Sequence, residues 1–177
     1  HDYMPPVVNI RDLNVDYHNV LPDNGAMMHD ISAYVIQKCQ SGDIGFVTGK
    51  ADNSDSMERL NGFIRAMEEA GYEPSEKLIF NGNYWMDQGP QTADFFIRED
   101  GSLPKAIIFS NDYMALALVD ELISRGYEIP KDVMVTGFDN IEASRSHIPS
   151  LSTLDIPETC LTEEALNSIS SLGTKSF

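Results

Sequence analysis

Hydrophobic residues in this chain fall into short, wholly apolar runs that alternate with stretches of helical periodicity. Ala106-Ile107-Ile108-Phe109 is one such run, and it breaks at once into Ser110-Asn111-Asp112. Val133-Met134-Val135 runs in the same way into Thr136-Gly137-Phe138-Asp139-Asn140. Between them, 113–125 has helical spacing that Gly126 and Pro130 end. Residues 44–48 and 78–80 read as further strands. One helical stripe comprises Met27, Met28, Ile31, Tyr34, Val35 and Cys39 and stops near Ser41-Gly42. A second comprises Leu60, Phe63, Ile64 and Met67 and ends at Gly71, and a shorter helix covers 92–98. The segment 5–10 is apolar, 13–21 is irregular, 49–56 and 81–87 are polar loops, 151–156 is extended, and 163–172 reads as a final helix. Strands that are apolar on both sides, separated by helices, predict an α/β fold: a parallel sheet with helices on both faces.

Acidic and amide residues at the carboxyl ends of two of these strands give the fold a chemical direction. In an open parallel sheet that edge is where ligands bind. Asn111, Asp112 and Asp139 sit there, and short polar groups backed by a rigid sheet suit a small hydroxylated molecule.

Composition narrows the field. The chain has 177 residues, 42% of them hydrophobic, enough for one domain or one and part of another. It opens on His1 rather than Met, as a fragment would. No run approaches ~18 apolar residues, so no membrane contact is expected, and no signal peptide is visible. Cys39 and Cys160 lie far apart and fit a reduced, cytoplasmic protein better than a disulfide scaffold. With 28 acidic against 12 basic residues, the net charge of -16 repels phosphate backbones. DNA would have to be reached through a module outside these residues.

Motifs for catalysis, metals and nucleotides fail on inspection. Gly45-Phe46-Val47-Thr48-Gly49-Lys50 is one residue short of a phosphate loop, and Ala51 stands where a hydroxyl is needed. Asp52, Asn53 and Asp55 lack the glycine and glutamate that would complete a calcium loop, and read as a solvated Asx-rich turn. His1, His18, His29 and His147 have no metal-ligand spacing. No nucleophile elbow is present, and neither cysteine has an activating neighbour in sequence. The chain is expected to be neither an enzyme nor a cofactor protein.

Three features have both a structural and a functional reading. Asp112 serves either as N-cap for the helix at Tyr113 or as an acceptor for ligand hydroxyls. Arg59, near a helix start where a cation is mildly disfavoured, is either a surface arginine or a ligand contact. Tyr84 and Trp85 lie in a loop after a strand, where aromatics either stack on rings or pack onto the domain.

The linked motifs resemble the lac-repressor (LacI/GalR) family. They are Asp23-Asn24-Gly25-Ala26, Ile44 to Gly49, Arg59-Leu60-x-Gly62-Phe63-x-x-Ala66-Met67, and Ser110-Asn111-Asp112-x-Met114-Ala115. They continue with Gly126-x-x-x-Pro130-x-Asp132-Val133, Gly137-Phe138-Asp139-Asn140 and Pro149-x-Leu151-Ser152-Thr153. The resemblance runs from about Val7 to Pro157. It implies a periplasmic-binding-protein-like type I fold of two α/β subdomains with an effector between them. This chain would then hold the end of the first subdomain (1–23), the second subdomain (24–152), and a crossing strand with a truncated helix (153–177). On this resemblance Arg59 and Asp112 match the family's effector contacts and Tyr84 its cleft aromatic, with Trp85, Asn111 and Asp139 beside them. It also implies a small-molecule effector and a homodimer. Similar sensor domains are fused to histidine kinases or diguanylate cyclases, and others serve as transporter solute-binding proteins.

Overall fold

The computed structural model describes residues 22–156 continuously, with Val8–Asn9, His18–Asn19 and residues 162–163 and 165–167 besides. Two units are described separately. In the smaller, β1 (Val8–Asn9) pairs in parallel with β2 (His18–Asn19), although 13–21 reads as irregular in sequence. Residues 162–163 and 165–167 are helical, in line with a helix over 163–172. The remainder of that helix, of the 5–10 segment and of 13–21, with Cys160 and the last residues, lies outside the described residues.

The larger unit, Asn24–Asp155, is a five-stranded sheet in the order β4-β3-β5-β6-β7, parallel throughout. Its strands are β3 (Ile44–Val47), β4 (Ile79–Phe80), β5 (Ala106–Phe109), β6 (Met134–Phe138) and β7 (Ser152–Leu154). Leu78 falls in a 3-10 turn, Glu76–Leu78, rather than in β4. Every residue of β3 and β5 is buried, so both faces need cover. On one face lie α1 (Asn24–Cys39) and α2 (Ser54–Glu69), packed on each other, with Phe63 stacked on Phe46 at 4.7 Å between centroids. On the other, α3 (Gly89–Phe96) and α4 (Asp112–Ser124) enclose Val47, Ile107, Phe109 and Val135 in one apolar cluster. A short α5, Glu142–Ser146, links β6 to β7 and gives no sequence signal at five residues.

Tyr34 departs from the expected stripe. It is 58% exposed, with Lys38 over its ring at 5.4 Å, while Ser32 and Ile36 are buried. The buried face of α1 runs Asn24, Met28, Ser32, Val35 and Ile36. That i, i+4 line turns the core-facing stripe away from position 34.

The α1–α2 contact depends on a glycine. A Cβ at Gly62 would stand 2.3 Å from the Gly25 carbonyl oxygen, which is backbone and cannot swing aside. Gly62→Ala gains about 1 kcal/mol of helix propensity, but forcing the helices apart against a backbone oxygen costs about 2–3 kcal/mol, the upper part of the overpacking range. Net destabilisation of about 1–2 kcal/mol is expected in urea titration. Unchanged or raised stability would show that the helices do not meet at this point.

Candidate functional site

The chain leaves β3, crosses to the edge strand β4, and returns past β3 to β5, which puts a topological switch point between β3 and β5. Carboxyl ends of strands at such a point open a natural crevice, and the predicted residues gather around it.

Arg59 projects from the second turn of α2 and is only 6% exposed. Its Nε–H donates to Asn24 Oδ1 at 2.8 Å, and one terminal amino group donates to the carbonyl of Ser110 at the end of β5. The guanidinium carbon lies 3.9 Å above the Phe138 ring centroid, and the Asp139 carboxylate is 3.6 Å away. Arg59 therefore belongs to the sheet edge, not to the outer surface, and its helix reaches there from one turn of register.

Asp112 is fully buried and is the first residue of α4. Its N-cap reading fails, because Asn111 holds that role: the Asn111 side chain accepts from the Met114 amide at 3.1 Å. Asp112 instead ties the far end of the sheet together. Its Oδ2 accepts from the Ile141 amide at 3.0 Å and the Ser144 hydroxyl at 2.7 Å, and its Oδ1 accepts from the Thr153 hydroxyl at 2.6 Å. Gly137 makes room for it, since a Cβ there would fall 2.0 Å from Asp112 Oδ1.

Tyr84 sits at a positive φ of 72° and is half-buried. Its ring lies flat against Gly49, where a Cβ would come within 1.9 Å. Its amide donates to the Met114 sulfur at 3.3 Å, its carbonyl accepts from Asn111 Nδ2 at 3.1 Å, and its hydroxyl donates to Asn53 Oδ1 at 3.3 Å. Burial pushes the phenol pKa above its usual value. Asn53 also caps α2, accepting from the Ser56 amide at 2.9 Å, so the Asx-rich loop is structured as well as polar. Trp85, next in sequence, is 63% exposed.

Asp139 has φ of 109°, a backbone region that strains a residue with a side chain. Burial raises its carboxyl pKa to about 6 despite the attraction of Arg59, and Asp112 and Asp55 add repulsion. At 3.6 Å, Arg59 offers Asp139 less than a tight hydrogen-bonded pair would, since it is also committed to Asn24 and Ser110.

Arg59, Asn111, Asp112, Tyr84 and Asp139 are thus linked by direct contacts or by their electrostatic influence at one edge. The sequence reading omits Asn24, Phe138, Gly137 and the hydroxyls of Ser144 and Thr153. Gly137 leaves a signal of its own, as a glycine inside a strand; Asn24, Phe138 and Thr153 enter only through the linked motifs, and Ser144 leaves none. Among the described residues no group of His, Cys, Asp and Glu could hold a metal ion, and no helix is long and apolar enough to cross a membrane.

A family described as periplasmic binding protein-like domain matches residues 41–172. The HTH-type transcriptional regulator AscG of Escherichia coli (strain K12) is 36% identical over 124 residues, which is 70% of this chain and 37% of AscG. The HTH-type transcriptional repressor PurR of Pasteurella multocida (strain Pm70) is 33% identical over 112 residues, 63% of this chain and 33% of PurR. The chain thus spans about a third of the length of these relatives. Among solved structures, a sugar-binding transcriptional regulator of the LacI family from Escherichia coli, complexed with phosphate, superposes with a TM-score of 0.80 at 30% identity. It covers 92% of this chain and 58% of its own. The Escherichia coli transcriptional repressor AscG gives a TM-score of 0.80 at 29% identity, over 96% and 61% respectively.

Two substitutions separate the roles of the carboxylates. Asp112→Asn replaces an acceptor of three hydrogen bonds by one that turns an amino group toward a donor, at a cost of about 2–3 kcal/mol in chemical denaturation. Asp139→Asn acts in the opposite sense. The folded carboxyl titrates near 6 and the unfolded one near ~3.9, so the folded state holds its proton more tightly. The ionised group therefore costs stability above pH ~6, and that cost fades as pH falls toward ~4. Discounted for partial exposure, Asp139→Asn should stabilise by about 1–2 kcal/mol at neutral pH. That gain should shrink at pH ~4, leaving only the preference of Asn for positive φ. A pH-independent gain in parallel melts would rule out the titration account.

Proposed function

The chain belongs to the periplasmic binding protein-like family and within it to the LacI/GalR group, and we propose that it is the small-molecule-sensing part of a LacI-type transcriptional regulator. The observation that carries this reading is a buried guanidinium at the carboxyl edge of a parallel sheet, ringed by carboxylate, amide and aromatic groups. A fork of fixed donors beside acceptors is suited to a sugar or a related polyhydroxylated metabolite. Arg59 and Asp139 contact the effector's hydroxyls. Asp112, fully buried and already accepting three hydrogen bonds, forms the floor beneath them and holds the strand ends in place. The Tyr84 ring is already seated on Gly49, so Trp85 is the aromatic free to cover an apolar sugar face.

In this reading the whole protein works in the cytoplasm and reaches DNA through a module outside this chain, whose own charge of -16 opposes such binding. The effector acts only through the difference in its affinity for two conformations. A homodimer belongs to the same proposal. Met86 and Tyr113 are 49% and 44% exposed, on the 3-10 turn Met86–Gln88 and on α4, two elements that pack on each other.

Thermal-shift screening of hexoses, β-linked disaccharides and purine bases, followed by calorimetry on the hits, tests the reading. Arg59→Lys keeps the charge but loses the fork, and should weaken the selected compound by roughly tenfold or more, about 1.4 kcal/mol. Asp52→Asn, on the exposed turn before α2, should leave affinity within error. Equal affinity in the parent and Arg59→Lys would remove Arg59 from the site.

A further inference from the structure

Three hydroxyls between the sheet and the α1–α2 pair have no hydrogen-bond partner among the described residues: Ser32 Oγ, Ser110 Oγ and Thr136 Oγ1. The residues are 0%, 0% and 3% exposed. Their shared location follows from register. Ile108 of β5 pairs with Thr136 of β6, and Ser110, two residues beyond Ile108, points to the same side. The opposite side carries Ile107, Phe109 and Val135 in the apolar cluster with α3 and α4. Ser110 and Thr136 therefore face α1 and α2, as do Phe46 under Phe63 and Phe138 under Arg59. Ser32 lies on the buried side of α1, which also packs against β5.

A hydroxyl shut away from water with no partner costs about 1–3 kcal/mol, and buried polar side chains nearly always find one. Ser110 and Thr136 cannot satisfy each other. Neither hydroxyl has a partner within hydrogen-bond distance among the described residues, and the spacing of about 4.8 Å between neighbouring strands exceeds the about 2.8 Å of an O–H···O bond. Two such bonds in series reach roughly 5–6 Å, the span a single oxygen between them would fill. Each hydroxyl offers one donor and two acceptor sites, so a neutral partner able both to donate and to accept fits all of them. The strand side chains on this face, Phe46, Ile108 and Phe138, carry no charge, and the Arg59 guanidinium over Phe138 already meets Asn24 and the Ser110 carbonyl, so a neutral occupant is favoured over an ion.

We propose that this layer is a binding site for an internal water, held by Ser110 and Thr136 from two strands and by Ser32 from α1. Such a water locks the end of β5, whose Ser110 carbonyl receives Arg59, to the helix above it. It is a structural ligand, separate from any effector at the sheet edge.

Thermal melts of the 177-residue chain carrying Thr136→Val, Ser110→Ala and both changes test the site. Expelling a shared water leaves the remaining hydroxyls unpartnered, so each single change should lower Tm by about 2–6 °C. The double variant should fall no further than the lower single, because the first change has already removed the water. A rise in Tm with Thr136→Val would mean that its hydroxyl had no partner at all and would overturn the proposal. Losses that simply add would mean separate partners and would overturn it equally. If either single variant fails to fold, a high-resolution crystal structure of the parent decides. Density for an oxygen within hydrogen-bond distance of both side chains supports the site, and apolar contact without such density refutes it.

Discussion

Burying a guanidinium costs several kcal/mol unless its charge and its donors are met, and in this fold the burial of Arg59 sets what surrounds it. One acceptor comes from the first turn of α1 through Asn24, one from the end of β5 through the Ser110 carbonyl, and a ring face from the end of β6 through Phe138. Four elements, α1, α2, β5 and β6, must hold their relative positions for those contacts to coexist. The close α1–α2 approach at Gly62 and Gly25 serves this requirement, because it keeps Asn24 within reach of a side chain rooted on the neighbouring helix. Asp139 has the weakest hold on the same charge. It keeps a strained backbone and a raised pKa because the strand end fixes it there.

Asp112 organises the opposite face of the same edge. One carboxylate gathers a backbone amide ahead of α5, a hydroxyl from α5 and a hydroxyl from β7, segments that are otherwise short and weakly self-supporting. Asn140 adds to this frame, its backbone amide donating to the Thr153 hydroxyl oxygen and its side-chain Nδ2 to Asp155. The edge is therefore stiff before any small molecule arrives, the condition under which a few polar groups can orient a ligand without first being ordered themselves.

The sheet was largely legible in the residue pattern. Apolar runs at Ile44, Ala106 and Val133 mark strands to within one or two residues, because strands buried on both faces are built mainly from apolar residues. What the pattern left ambiguous has local causes. Asn111 and Asp112 are adjacent and both good caps, and only the helix's actual start separates them. Tyr34 looks like core by type, yet the 3.6-residue repeat carries the buried line to Ser32 and Ile36. Arg59 looks like surface, since no spacing rule says that a charge will be buried and paired with groups distant in sequence. The β1–β2 pair and α5 are too short to show periodicity.

Gly137 and Asp112 also constrain how this sequence can change. Any side chain at position 137 would collide with the carboxylate of residue 112. Losing that carboxylate strands the Ile141 amide and two hydroxyls. Position 137 is thus closed to substitution for as long as position 112 keeps its acid. Once a shorter residue stands at 112, a Cβ at 137 fills the space that is left and hinders the acid's return. Two single steps that commute in most proteins here have a preferred order, and the pair works as a ratchet on the divergence of the site.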